Sequence, residues 1–585
     1  MKKIIKLITK KEAKLYLYSM VFIIIQVGLE VAVPGKMGTI TEMLQRGESN
    51  MMDILIQGAL MLLYSLLAML AAIFSTLFIA KAGAALDKCI RKNVFEKTMS
   101  FSLEEMGKFG TSSLIARCTS DITQVQSFIT SGLQNVVRAP ITIIWVIICI
   151  SGTHWYWSVS TVTAVGLIVL MLTIITVLTM PSVKRLQFVN DKLIEASREH
   201  ITGIHSIHAY TAFDFQKERY EKVNAEQTKL HLFYDKAMAI FNPGAGAILY
   251  MLSVVIYVLG AYIITSAGSD EKLILFSNMV AFISYANMLI SAFIYLIVIV
   301  SNLPNTLVSA KRISEVLDTD VSISDAANNV EINEKDRGVI EFNHVSFRYP
   351  GSKENVLTDL SFKINKGETL AIIGATGCGK TSLLNLIPRL YDVTEGTVFV
   401  DGINVKEYKL NDLRNLIGYV PQKSVLFSGT IADNIAYGEN GKFQATLTEI
   451  KKAAQIGQAE EFIKAKEGEY ASKVAQGGSN FSGGQRQRLT ISRAICRDPE
   501  IYLFDDSFSA LDYKTDNILR KKLREYAGDS TMCIVAQRIS TIRNADKILV
   551  IDNGKIVGEG KHDELIKNCD VYREIAMSQN LEEVE

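Results

Sequence analysis

Six stretches of the chain are almost unbroken in apolar residues. They run from about Tyr16 to Val33, Ile54 to Ala80, Val136 to Ile150, Ser158 to Met180, Ala239 to Ala267 and Leu273 to Val300. A bilayer core takes about 20 helical residues, so each stretch reads as a spanning helix. The third is the shortest and carries Arg138 and Pro140. The first follows a basic run, Lys2, Lys3, Lys6, Lys10, Lys11 and Lys14, in the manner of a signal peptide. It is long enough to span and no small-residue cleavage site follows, so it reads as an uncleaved first span with Pro34 after it. Beyond about residue 338 the pattern changes to short apolar runs of strand length, separated by turns and helical segments. The expected division is a membrane part, residues 1–317, a polar Asp- and Asn-rich linker, 318–337, and an α/β part, 338–585.

Charge between the spans sets the orientation. The loop after the second span holds seven Lys or Arg residues, from Lys81 to Arg117, and the loop after the fourth holds nine, from Lys184 to Lys236; the other loops are short and poor in both. The positive-inside rule then places both termini in the cytoplasm, with Trp155, Tyr156 and Trp157 at an outer aromatic belt. Each long basic loop reads as helices extending past the bilayer with a short connector. His200, His205 and His208 lie in the second, but no Cys or carboxylate completes a metal-ligand set there. Composition agrees with a membrane protein: 585 residues, 49% hydrophobic, net charge +1, which implies no nucleic-acid partner. The seven cysteines have no CxxC spacing and read as reduced thiols.

The chemistry is concentrated in the α/β part. Residues Gly374, Ala375, Thr376, Gly377, Cys378, Gly379, Lys380 and Thr381 fit the pattern G-x-x-x-x-G-K-[ST], with Ser382 next. They follow the apolar run Leu370–Ile373 and precede the helix-like run Leu383–Ile387. Such a loop lets backbone N–H groups face phosphates. Lys380 would reach the β- and γ-phosphates, and the Thr381 hydroxyl would ligate Mg²⁺. The run Ile501–Phe504 reads as a buried parallel strand ending at Asp505, where ligands of open α/β sheets bind. A carboxylate there suits Mg²⁺. Asp401-Gly402 and Asn553-Gly554 are expected hairpin turns of type I′.

The segment Ser482, Gly483, Gly484, Gln485 resembles the signature of ATP-binding-cassette (ABC) ATPases. The resemblance covers the whole chain and implies a membrane α-helical domain of six long transmembrane helices in the exporter-type fold, followed by an α/β P-loop ATPase cassette with a helical subdomain. In that family two cassettes dimerise head to tail, and the signature of one closes on the ATP held by the other. Tyr349 resembles the aromatic that stacks on adenine. Gln422 resembles the glutamine that senses Mg²⁺ and contacts the membrane domain. Ser509–Asp512 resembles the D-loop. Thr111–Asp121 and Gly203–Tyr210 resemble the two coupling helices.

Two positions depart from the family pattern. Asp506 stands where the general base is usually Glu, and Gln537 where the switch residue is usually His. Asp is one methylene shorter, so its carboxylate would stop about an ångström short of a base-to-water contact near 2.6–3.2 Å. The resemblance is closest to the degenerate-site subunit of bacterial heterodimeric multidrug exporters. It implies ATP-driven export of amphipathic small molecules or lipids across the cytoplasmic membrane, with ATP and Mg²⁺ as cofactors. The partners implied are the lipid bilayer and a second half-transporter with normal Glu and His. A homodimeric exporter of peptides or lipids with Asp506 as a working base, an ATP-gated regulatory module, and an exporter-fold siderophore importer stay open. Inside the spans, Glu30 and Asn287 are the candidate substrate-path residues; Gln26 and Asn278 are the other polar groups noted.

Overall fold

A computed structural model describes residues 9–46, 50–326, 333–438 and 444–579. The first basic residues, Lys2, Lys3 and Lys6, and linker residues 327–332 lie outside the described set. The chain divides into two compact units, Met1–Lys97 with Ser112–Thr319, and Thr98–Thr111 with Asp320–Glu585.

The first unit is helical. Six helices among the described residues are long and apolar enough to cross a membrane: Lys10–Arg46, Met51–Met99, Thr111–Ser151, Trp155–Thr202, Phe213–Ser266 and Glu271–Leu296. Most run well beyond the apolar stretches, because their polar continuations keep helical geometry; the fifth begins at Phe213, before its apolar part. Pro34 does not end the first helix, which continues to Arg46. A proline inside a membrane helix is tolerated where neighbours re-satisfy the freed backbone. The third span is assembled from Thr111–Cys118, Ser120–Ser127, a π-helical turn Phe128–Gly132 and Leu133–Ser151.

Packing inside the unit uses small residues and a few hydroxyls, as expected where lipid removes the hydrophobic drive between helices. Gly28 lets the first helix lie against Trp145; a Cβ there would be 2.8 Å from the indole Cη2. The Ser277 hydroxyl donates to the Gly38 carbonyl at 2.7 Å, joining the sixth helix to the first. Trp157, expected in an interfacial belt, is fully buried against Phe282 instead.

The second unit takes in a segment from between the second and third spans. Its short helix Leu103–Phe109 begins at Ser102, whose side chain and Glu105 form a capping box. Glu105 also accepts from the Ser322 backbone N–H at 2.9 Å. The expected segment Thr111–Asp121 lies on the helix Thr111–Cys118 and the start of Ser120–Ser127. The second connector lies where expected, as Ile204–Ala209 between two long helices.

The strands of this unit are β1 (Ile340–Phe347), β2 (Leu357–Ile364), β3 (Thr369–Gly374), β4 (Glu395–Val400), β5 (Ile403–Asn404), β6 (Ile417–Val420), β7 (Gly429–Thr430), β8 (Lys473–Val474), β9 (Ile501–Asp505), β10 (Thr531–Val535), β11 (Lys547–Asp552) and β12 (Lys555–Gly560). One sheet has the order β2-β1-β4-β5, a second β12-β11-β3-β10-β9-β6, and β7 pairs with β8. The six-stranded sheet is parallel apart from its β11–β12 hairpin. Its inner strands β9 and β10 are buried along their whole length and β3 nearly so, because both faces are covered, whereas the edge strand β12 alternates with exposed positions. Tyr502 and Phe504 enter one core, with the helices Ile431–Ile435, Leu447–Ile456 and Gly483–Cys496, while Ile501 and Leu503 enter another with the antiparallel sheet. Both expected type I′ turns have positive φ at their central pairs, Asp401-Gly402 and Asn553-Gly554.

Candidate functional site

Register gathers the chemistry at one edge of the parallel sheet. Val420 pairs with Phe504, Val535 with Asp505, and Ile372 with Val535. The chain leaves β6, β9, β10 and β3 at the same level, so Gln422, Asp505, Asp506, Gln537 and the loop from Gly374 emerge together.

The loop is shaped by glycine. Gly379, at φ +101°, occupies left-handed space against Val356 and Leu357, where a Cβ would lie 2.7 Å from Leu357 Cδ2. It precedes the helix Lys380–Leu386. The Lys380 ammonium donates to the carbonyls of Gly374 and Ala375 at 2.8 and 2.7 Å, and lies 3.6 Å from Cys378 Sγ. Thr381 Oγ1 donates to Asp505 Oδ1 at 3.0 Å. Asp505 is buried, and burial raises its pKa, with the Thr381 hydrogen bond and Lys380 pulling the other way. A buried carboxylate, a hydroxyl and the Gln422 amide oxygen are hard oxygen donors of the kind Mg²⁺ takes, and the set fits that ion.

Tyr349 lies at the rim. Its hydroxyl is 2.7 Å from Ser382 Oγ, and its ring meets Phe347 and Tyr391 edge-on at 4.9 and 5.3 Å. A cavity of about 320 Å³ is lined there by Tyr349, Tyr391, Ser352, Arg348 and residues of the Ser102 segment. Tyr391 was not singled out from sequence; an aromatic just after a helix carries no signal of its own.

The base side is built differently. Asp506 has φ +47°, a left-handed conformation that Asp adopts more readily than Glu. Its N–H donates to the Val535 carbonyl at 3.0 Å, which ties it to β10. The Gln537 amide Nε2 donates to Asp506 Oδ2 at 2.9 Å. Burial raises the Asp506 pKa, opposed by hydrogen bonds from Ser509 and Gln422 and by Lys380 and Arg538. Gln422, Asp506 and Gln537 thus form one polar group. A further residue supports it. Gln579 donates from Nε2 to the Gln537 carbonyl at 2.7 Å and accepts from the Ile539 N–H at 2.9 Å. No sequence pattern marks this support, because the partners are about forty positions apart.

Ser482 caps the helix Gly483–Cys496, its hydroxyl accepting from the Gln485 N–H and the Gln485 side chain accepting from its own N–H. Gly483 has open space around it. Gly484 lies against the Ala510 carbonyl, where a Cβ would be 3.2 Å away. The first turn therefore presents an open glycine and backbone N–H groups, backed by the Ser509–Asp512 loop.

In the membrane unit, Glu30 and Asn287 line one cavity of about 710 Å³ together with Arg138. Arg138 Nη2 donates to both Glu30 carboxylate oxygens at 3.0 and 2.8 Å. Sequence noted both residues without pairing them. No group of three metal-ligating side chains occurs among the described residues.

Residues 16–293 match the ABC transporter transmembrane region family, and residues 357–509 the ABC transporter family. The chain is 35% identical over 530 residues to an uncharacterised ABC transporter ATP-binding protein of Mycobacterium tuberculosis, covering 90% of this chain and 89% of that one. It is 32% identical over 513 residues to YgaD of Bacillus subtilis, an ATP-binding/permease protein assigned provisionally to multidrug export, covering 84% and 83%. It is 29% identical over 497 residues to an ATP-dependent lipid A-core flippase of Pseudomonas aeruginosa, covering 85% and 80%. Among solved structures, a bacterial Atm1-family ABC exporter with ATP bound superposes with TM-score 0.81 at 23% identity, over 98% of this chain and 99% of the other, and shows the fold.

Proposed function

Because the chain belongs to the ABC transporter family, with an exporter-type membrane domain and an ATPase domain that couples ATP hydrolysis to transport, we propose that it exports amphipathic small molecules or lipids as one half of a heterodimer whose own ATP site turns over slowly. The cassette and both termini lie on the cytoplasmic side, supported by the Lys and Arg excess of the two long loops.

One observation carries the slow-site reading: Asp506 Oδ2 is engaged by the Gln537 amide at 2.9 Å. A general base must hold the attacking water, and a well-placed one contributes about 10²–10⁴ in rate. Here a short carboxylate is held by a neutral neighbour that carries no charge to place against a developing phosphate. The binding half of the site is complete. Lys380 supplies charge to the phosphates, Tyr349 and Tyr391 offer aromatic edges to the base, and Thr381, Asp505 and Gln422 would hold Mg²⁺. That ion, when bound, neutralises phosphate charge. The open signature Ser482–Gln485 serves the ATP of a partner with normal motifs.

The test is ATP hydrolysis by the full chain in lipid. The double variant Asp506→Glu with Gln537→His should raise turnover while leaving ATP affinity unchanged. No rise would remove the slow-site reading.

A second reading has its own support. Burial raises the Asp506 pKa, which makes the carboxylate a stronger proton acceptor, and its left-handed backbone suits Asp. A homodimer with Asp506 as a working base predicts brisk turnover of the chain alone, abolished by Asp506→Asn.

A further inference from the structure

Pro34, on the first spanning helix, lines the same cavity as Glu30 and Arg138. It sits four residues after Glu30, so the Glu30 backbone carbonyl loses the N–H that would ordinarily satisfy it. Three further features converge on this point. Gln26 Nε2 donates to Glu30 Oε1 at 2.8 Å, while Gln26 Oε1 is buried without a hydrogen-bond partner among the described residues. Reversing that amide would set its oxygen against the carboxylate, so the orientation is fixed by charge. Arg138 spends only Nη2 on Glu30 among the described residues, leaving donors on Nε and Nη1. The pair is not sealed: the two side chains are 33% and 27% exposed.

Position makes the pair unusual. Glu30 lies within the apolar stretch Tyr16–Val33 and Arg138 within Val136–Ile150, so both charges belong to spanning helices. Charges on such helices face a cavity or a pathway. The rest of the wall mixes apolar groups, Ala68, Met69 and Met288, with hydroxyls and amides, Ser284, Asn287 and Ser291.

We infer that Glu30, Arg138 and Gln26 form the charged recognition element of the substrate cavity, and that its ligand is a zwitterionic amphiphile. The ligand's acidic group binds Arg138, its protonated amine binds the Glu30 carboxylate, which the buried Gln26 amide holds in place from behind, and its tail lies on the Met and Ala wall. The cavity's opposite charges cancel, which selects against amphiphiles of a single sign. This rests on the export reading above, whose substrate class it narrows.

The experiment uses the full chain in lipid nanodiscs and three probes with one tail: Nε-dodecanoyl-lysine, dodecanoate and dodecylamine. Wild type should bind the zwitterion about tenfold more tightly than either singly charged probe, the worth of one charge-assisted hydrogen bond. Glu30→Gln should lower zwitterion affinity and raise that of dodecanoate, and Arg138→Gln should do the same with dodecylamine. Reciprocal exchange, Glu30→Arg with Arg138→Glu, keeps a pair and controls for folding through the thermal midpoint and ATP binding. Equal binding of all three probes, or variants that leave their ranking unchanged in folded protein, would overturn the inference and leave export standing. If no amphiphile of any charge binds or alters ATP hydrolysis, the export reading itself falls, and this inference with it.

Discussion

The two sides of the ATP site differ in kind. On the phosphate side, Gly379, Lys380, Thr381 and Asp505 are locked by bonds between strand ends in register. On the base side, Asp506 and Gln537 hold each other, and the group depends on Gln422 and on Gln579, far off in sequence. On the reading proposed above, the first arrangement serves nucleotide binding and the second governs turnover, so one can change while the other stays.

The largest expected effect breaks the contrast outright. Asp506→Glu with Gln537→His should raise ATP turnover by about 10²–10⁴, measured as phosphate release by the full chain in lipid. Lys380→Ala attacks the opposite side and should weaken ATP binding by about 10- to 100-fold, read by nucleotide titration, with the thermal midpoint little moved.

A third measurement keeps pH effects from being misassigned. Burial pushes Asp401 up to about 6, partly offset by the Gly338 N–H that its Oδ1 accepts, and its Oδ2 is buried without a partner among the described residues. The folded state therefore holds this proton more tightly than the unfolded chain does. The stability it contributes is complete below about pH 4 and lost as pH rises through about 6, a swing on the order of 3 kcal/mol. Asp401→Asn should flatten that change in thermal unfolding between pH 4.5 and 7.5. Any acid-side loss of turnover that survives in Asp401→Asn then belongs to the Asp505 and Asp506 pair, whose carboxyls are also raised. The smallest effect sharpens the contrast. Gln579→Ala should lower turnover about fivefold, the worth of one hydrogen bond, with ATP affinity unchanged.

Local spacing made the phosphate side legible. A nine-residue motif that runs from the end of an apolar strand into a helix brings its own geometry, so Gly374–Ser382 could be read without a fold. Asp505 was legible because a carboxylate closing a buried apolar strand is costly to desolvate unless it has a cation or a donor to hold. The Glu30–Arg138 pair was not, because 108 residues separate its members and neither helix announces which face meets the other. The helix Leu103–Phe109 went unread for a different reason: its capping-box spacing, Ser102 to Glu105, is present in the sequence but lies outside any apolar stretch. Pro34 marks the end of the first apolar stretch but not of its helix, because proline stops helices in water more reliably than in a membrane.

The Gln579 bonds tie the end of the last helix, Asp570–Ser578, to the strand-to-helix turn that carries Gln537. A truncation just before Gln579 is ordinarily treated as bystander chemistry. In this chain such a cut releases a lever whose other end is the Gln537–Asp506 bond, so rates from a chain shortened there report the cut as well as the pump.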